Sequence, residues 1–331
     1  MKGRLGEFEL IARYFAPLSQ GFPGACGLED DVAALAPSPG KEFVVKTDAI
    51  LAGIHFLPSD PGGLVAKKAL RVNLSDLAAK GATPKAYLLD LLLPESIKEG
   101  WIEAFARGLG EDQEFYRVHL IGGDTDRTPG PVTIAVTAFG EVPKGLTIRR
   151  KGAKAGESLY VTGTIGDAAL GLRVLKGAFI GLDESAASFL VERYRVPQPR
   201  VFLGPRLLGL ASASLDVSDG LVADLQHLCK ASRLSAVVEA ARVPFSPAAR
   251  SLIGQSEEER ALALSGGDDY EILFTAPKEA AGRLARLAEE FDTPITAIGA
   301  MASSLGGKHS VTVRDEKGRP LDFARKGWTH F

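Results

Sequence analysis

Acidic residues gather in short clusters wherever an apolar run of this chain gives way to a turn. The clusters are Glu29-Asp30-Asp31, Thr47-Asp48, Asn73-Leu-Ser-Asp76, Gly122-Gly123-Asp124, Asp216-Val-Ser218-Asp219 and Gly266-Gly267-Asp268-Asp269. Singly, each reads as a solvated turn or a helix cap: Asp76 could pair with Lys80 at i+4, and Asp219 could cap the helix that follows it. Jointly, several strand ends finishing in carboxylates, with hydroxyls beside them and no matching bases, would repel one another in the absence of a cation. A hard divalent cation takes oxygen ligands, and magnesium usually takes substrate phosphates as well, so the pattern points to a metal-dependent phosphate site.

The 331 residues suggest about two domains, and 45% hydrophobic with 24% charged residues is ordinary for a soluble globular chain. No apolar run approaches the roughly 18 residues of a membrane span. Glu7, Glu9 and Arg13 interrupt the first segment where a signal peptide would be apolar, so a cytoplasmic protein is expected. Only Cys26 and Cys229 are present, too few for a disulfide framework and without the spacing of a zinc site, and both read as inert thiols. The formal net charge is −2 with scattered Lys and Arg, which leaves no footprint for a nucleic-acid backbone.

Phe8, Ile11, Phe15 and Leu18 recur at helical spacing and predict an N-terminal amphipathic helix ending near Pro17. Val32 to Leu35 and Phe43 to Val45 read as strands, the second ending on Thr47-Asp48. Ala66, Leu70, Leu74 and Leu77 mark a buried helical stripe, while Asn73, Asp76 and Lys80 share another face. A strand over Tyr87 to Leu93, a helix around Trp101 to Leu109, a short strand breaking at Gly122-Gly123-Asp124, and an alternating strand from Val132 to Gly140 complete the first half. The polar stretch Pro143 to Gly156 is the boundary, giving domains 1–148 and 149–331. In the second half, strands are expected at Ser158 to Thr162, Ala213 to Val217 and Tyr270 to Phe274, with Glu271 alternating out of the apolar set. Helices are expected after Asp167, read as an N-cap, and over Leu221-Leu225-Leu228 and Leu284-Leu287-Phe291. Both halves are α/β with mixed sheets.

No Gly-x-x-x-x-Gly-Lys-Ser/Thr loop or protein-kinase signature occurs, so phosphate is expected to be held through metal. In Gly122-Gly123-Asp124 the glycines would admit a phosphate to backbone amides and the carboxylate would hold the bridging ion. A series of motifs runs over nearly the whole length: Gly6-Glu-Phe-Glu-Leu-Ile-Ala12, Thr47-Asp48 followed by Gly53-Ile-His55-Phe56, and Val72-Asn-Leu-Ser-Asp-Leu-Ala-Ala79. Leu120-Ile-Gly-Gly-Asp-Thr125, Tyr160-Val-Thr-Gly-Thr164, Asp216-Val-Ser-Asp-Gly220, Ser265-Gly-Gly-Asp-Asp-Tyr-Glu271 and the terminal Gly327-Trp-Thr-His-Phe331 continue it. In this order the motifs resemble those of the thiamine-monophosphate kinase family. The resemblance implies the two-domain architecture of the aminoimidazole ribonucleotide synthetase-like superfamily, with a homodimer joined through the N-terminal sheets. It implies ATP as co-substrate, thiamine monophosphate as acceptor and several magnesium ions.

Carried over residue by residue, the resemblance makes Asp30, Thr47, Asp48, Asp76, Asp124, Asp216 and Asp219 magnesium ligands. It makes Gly123, Asp124, Arg150 and Ser218 nucleotide contacts, and it turns His55, Asp268 and Trp328 toward the substrate, with Asp48, Asp124 and Arg150 central to catalysis. A guanidinium suits phosphate and an indole suits a cationic thiazolium. Three residues depart from the family pattern: Glu29 where glycine is common, Lys46 where a hydroxyl is common, and Asp268 where glutamate is common. Lys46 removes one metal ligand and adds a charge that Glu29 is expected to pair with when nucleotide is absent. The acceptor phosphate is already ionised, so the expected reaction is direct in-line transfer with no general base and no phosphoenzyme. The alternatives are a relative that activates an amide or selenide with ATP, and a non-catalytic nucleotide-binding dimer. The first lacks a C-terminal cysteine here, and Cys26 does not sit in the selenophosphate-synthetase motif.

Overall fold

The computed structural model describes residues 5–254, 256–304, 308–323 and 327. It divides into two compact units, one of residues 1–77 with 82–145, the other of residues 78–81 with 146–331.

The first unit opens with helix α1 (Glu7–Leu10), which passes into a π turn at Ile11–Phe15 and a 3₁₀ turn at Ala16–Ser19. The expected single amphipathic helix is therefore broken. The wider π turn rotates its stripe, so Leu10 and Phe15 are buried while Phe8 is 81% exposed. Strand β1 (Lys41–Leu51), helix α2 (Gly62–Ala79), β2 (Thr83–Leu93), α3 (Glu99–Tyr116), β3 (His119–Arg127) and β4 (Thr133–Pro143) follow. The sheet order is β1-β4-β2-β3, with β2 and β3 parallel and the other pairs antiparallel. Leu70, Leu74 and Leu77 are fully buried on α2, as their spacing requires. A buried bidentate pair fixes α2 to α3: Arg71 Nε and Nη2 each donate at 2.7 Å to Asp112.

Two expectations fail at this sheet. Val32 to Leu35 is not a strand: Val32 is exposed, and the segment's one backbone tie is Ala34 N–H to the Gly24 carbonyl at 2.8 Å. Val32 is the segment's one β-branched residue, and without a neighbouring strand to pair with it gains nothing from extension. Thr47-Asp48 and Gly123-Asp124 do not end their strands either. Asp48 lies opposite Val136 within β1 and β4, and Asp124 lies opposite Asp90 within β3 and β2.

The second unit adds β5 (Ser158–Thr162), α4 (Asp167–Leu175), α5 (Glu184–Arg195), β6 (Ala213–Asp216), α6 (Leu221–Ser232) and β7 (Leu234–Glu239). It ends with α7 (Pro247–Ile253), α8 (Glu257–Ser265), β8 (Ile272–Ala276), α9 (Ala281–Glu290), β9 (Ile295–Ser303) and β10 (Val311–Arg314). Its six strands run β10-β7-β9-β5-β8-β6, and only β10 and β7 are parallel. Every residue of β8 is buried, as befits an interior strand covered on both faces, so the alternation read at Tyr270 to Phe274 does not hold. Asp167 is not an N-cap. Gly166 takes that place, and the Asp167 carboxylate accepts from the hydroxyls of Thr164 and Ser246 inside the core, where burial raises its pKa.

Candidate active site

In the first unit, Gly123 determines where Asp124 goes. Its φ is +145°, and a Cβ there would lie 1.8 Å from the Leu89 carbonyl oxygen. Only glycine lets β3 lie this tightly against β2 opposite Leu89, two residues past Ile121, which is left unpaired where the register shifts between Tyr87 and Leu88. The glycine thus serves strand packing whether or not it also admits a phosphate. Asp124 lines a cleft of about 160 Å³ together with Asp30, Asp31 and Gly123. Asp30 and Asp124 are both exposed within it.

On β1, successive residues face opposite sides. Thr47 Oγ1 accepts from the Thr137 hydroxyl at 3.0 Å. Lys46 and Asp48, two apart, share the other face with Asp76 of α2. The Lys46 ammonium lies 3.1 Å from Asp48 Oδ2 and 3.0 Å from Asp76 Oδ2. Glu29 is therefore not its partner, contrary to expectation. Burial pulls the Lys46 pKa down, but Asp76 and then Asp48 outweigh it, and the net shift is upward. The Lys80 ammonium donates to the Ser214 carbonyl at 2.6 Å. Beyond β1, the Leu51 amide donates to His55 Nδ1 at 3.0 Å, which places the proton of a neutral ring on Nε2.

In the second unit, two loops interlock. Asp268 N–H donates to the Ser218 carbonyl at 2.9 Å, Tyr270 N–H to Val217 at 2.8 Å, and Val217 N–H to Glu271 at 2.9 Å. Gly267 permits this approach, since a Cβ would lie 2.1 Å from the Ser218 carbonyl oxygen. Asp216 is buried at the end of β6, Ser218 and Asp219 are half-buried, and Asp268, in the left-handed region at φ +71°, accepts from the Tyr270 hydroxyl at 3.1 Å.

Asp224, which the sequence reading did not single out, and Asp269 and Glu271, to which it gave no role, hold these loops. Asp224 Oδ2 accepts the amides of Ser218, Asp219 and Gly220 at 3.0, 2.9 and 3.1 Å, and burial, reinforced by the Asp219 charge, pushes its pKa to about 7. Asp269 takes the Gly166 amide on both oxygens at 2.9 Å, and burial raises its pKa well above the carboxylate range. Glu271, fully buried, accepts from Arg193 at 2.9 Å, from Arg200 at 2.7 Å and from the Thr162 hydroxyl at 2.7 Å. The signal for Asp224 was present in the sequence: it falls on the apolar stripe of Leu221, Leu225 and Leu228, where a carboxylate needs a partner.

The Arg150 side chain is exposed, and its carbonyl accepts from the Ser232 hydroxyl at 3.1 Å. Trp328 lies outside the described residues, while Gly327 packs against Ala223 and the Asp219 carbonyl. A groove of about 700 Å³ along Phe179–Leu182 and Phe189 contains none of the predicted residues.

Among the described residues no three His, Cys, Asp or Glu side chains form a group able to hold an ion unaided. The donor chemistry nevertheless suits magnesium, which keeps waters and substrate oxygens and needs only one or two protein carboxylates. Asp48 with Asp76, and Asp30 with Asp124, supply such pairs. The carbonyl Oδ1 of buried Asn73, one turn before Asp76 on α2, has no hydrogen-bond partner, as an oxygen left for a ligand or its water would.

Residues 29–142 match the AIR synthase related protein, N-terminal domain family, which places the first unit in that class of fold. Over 328 residues the chain is 43% identical to the thiamine-monophosphate kinase of Salmonella typhimurium, covering 98% of each. A crystal structure of thiamine-monophosphate kinase from Stenotrophomonas maltophilia K279a, 41% identical, superposes with a TM-score of 0.84 over 93% of this chain and 96% of that one. AaThiL complexed with AMPPCP and TMP, 31% identical, superposes with a TM-score of 0.77 over the full length of both. The chain belongs to the thiamine-monophosphate kinase family.

Proposed function

We infer that this chain transfers the γ-phosphoryl group of ATP to thiamine monophosphate, giving thiamine diphosphate. The observation that carries this reading is the full-length likeness to AaThiL complexed with AMPPCP and TMP. In this reading Asp30, Thr47, Asp48, Asp76 and Asp124 of the first unit, and Asp216 and Asp219 of the second, hold magnesium. Gly123, Arg150 and Ser218 contact the nucleotide, while His55, Asp268 and Trp328 contact thiamine monophosphate. Magnesium, when bound, neutralises the charge that builds on the transferring phosphoryl group. The acceptor oxygen is already anionic, so the protein's work is to hold two polyanions in line: Arg150 presents a planar fork to phosphate, and His55 presents Nε2–H. Residues 1–148 supply metal and nucleotide ligands and the dimer surface, and residues 149–331 add further ligands.

A homodimer through the N-terminal sheet is part of this reading. β1 is an edge strand of 11 residues with Val45 56% exposed, an apolar edge of the kind that pairs with a second strand. A cytoplasmic location is supported by both cysteines being free thiols. No helix among the described residues is long and apolar enough to cross a membrane.

Asp48→Asn and Asp124→Asn test the assignment with thiamine diphosphate formation as readout. Each is expected to lose more than about 100-fold in rate, since each removes an ionic ligand, while circular dichroism stays native. Rates within about threefold of the parent for both variants would sink the metal assignment.

A further inference from the structure

Lys46 stands where a metal reading would put a cation. Its ammonium bridges Asp48 of the same strand face and Asp76 of α2 at 3.1 and 3.0 Å, and it is the cation the structure places between these two carboxylates. The Asp76 side chain is 17% exposed and that of Lys46 30%, so the pair is partly shielded from solvent and from screening by salt. Three residues before Asp76 on the same helix, the Oδ1 of buried Asn73 has no hydrogen-bond partner. Magnesium binds oxygens at about 2.1 Å with near-octahedral demands, so it cannot share the inner space of two carboxylates with an ammonium seated about 3 Å from each.

We propose that Lys46 is a tethered counter-ion that competes with divalent metal for the Asp48–Asp76 pair, lowering the pair's metal affinity. This rests on the metal reading given above. With metal absent, the ammonium holds the two carboxylates together and α2 stays docked on β1. With metal bound at this pair, the side chain leaves, and its four-carbon stem frees a charge for a phosphate oxygen. Lys46 is thus a positioning and metal-selectivity residue of this chain.

The test uses the full-length, nucleotide-free protein and manganese(II) as probe, read by electron paramagnetic resonance of the free ion. Lys46→Met is expected to bind one manganese ion about tenfold more tightly than the parent, and Lys46→Met/Asp76→Asn to lose that gain. A second readout does not depend on activity: in EDTA Lys46→Met should melt below the parent, and millimolar magnesium should raise its melting temperature more than the parent's. Lys46→Gln, which keeps hydrogen-bonding capacity without charge, serves if the Met variant fails to fold. Equal manganese affinity and stoichiometry in parent and variants, with equal magnesium shifts in melting, would overturn the proposal while leaving the metal reading intact. Absence of manganese binding to parent and variants alike, with AMPPCP present as well as absent, would remove the metal reading and this inference with it.

Discussion

Gly123→Ala tests how the site is positioned. The added Cβ would lie 1.8 Å from the Leu89 carbonyl oxygen, against 3.4 Å for ordinary contact, so β3 must move by roughly 1.6 Å. A movement of that size takes β3 out of hydrogen-bonding range of β2 at Leu89–Gly123. Alanine at φ +145° adds about 1–2 kcal/mol of backbone strain, and each ladder bond lost without replacement adds a further ~1 kcal/mol or more. The total is about 3–5 kcal/mol in the unfolding free energy. Asp124 is the next residue, so the displacement carries its carboxylate away from Asp30 in their shared cleft. The rate of thiamine diphosphate formation is expected to fall at least about 100-fold even where the variant is folded, because a misplacement of about 1 Å can remove that much. Urea unfolding of Gly123→Ala beside the parent measures the first quantity, and steady-state turnover in folding conditions the second. A variant destabilised by less than about 1 kcal/mol, with parental turnover, would refute the claim that the close packing at Gly123 positions Asp124.

Glu271→Gln leaves Arg193 and Arg200 charged beside a neutral, fully buried amide, so about 3–5 kcal/mol of stability should be lost; chemical denaturation giving less than about 1 kcal/mol would show that the network adds little. Asp224 holds its proton more tightly folded than unfolded, with a folded pKa of about 7 against an ordinary 3.8, so its contribution to stability grows as pH falls from about 7 towards 4 and is flat above. That swing is on the order of 4 kcal/mol, and Asp224→Asn should abolish it; stability curves in EDTA with the same slope over that range in parent and variant would contradict the assignment. Cys229, whose thiol burial pushes up to about 12, should resist alkylation in the native state, whereas exposed Cys26 should react; equal rates for the two would refute the burial.

The sequence by itself determined the elements whose causes are local. The stripe of Leu70, Leu74 and Leu77 announces α2, the alternation of Ile134, Val136 and Ala138 announces β4, and both appear because helical and extended periodicities are properties of consecutive residues. Motif order over the whole chain likewise made the thiamine-monophosphate kinase resemblance legible, and the 43% identity to a curated relative agrees with it. The tertiary structure decided the rest. The segment Val32 to Leu35 is apolar but has no strand beside it, whereas β1 runs on past Asp48 because β4 is there to pair with it. Asp224 interrupts the apolar stripe of α6, and only the fold brings three amides to its carboxylate. The joint departure of Glu29 and Lys46 from the family pattern suggested that they pair, but the ammonium goes to Asp48 and Asp76. A salt bridge depends on which side chains are brought within about 4 Å, and that distance is set by how α2 packs on β1, which no run of neighbouring residues encodes.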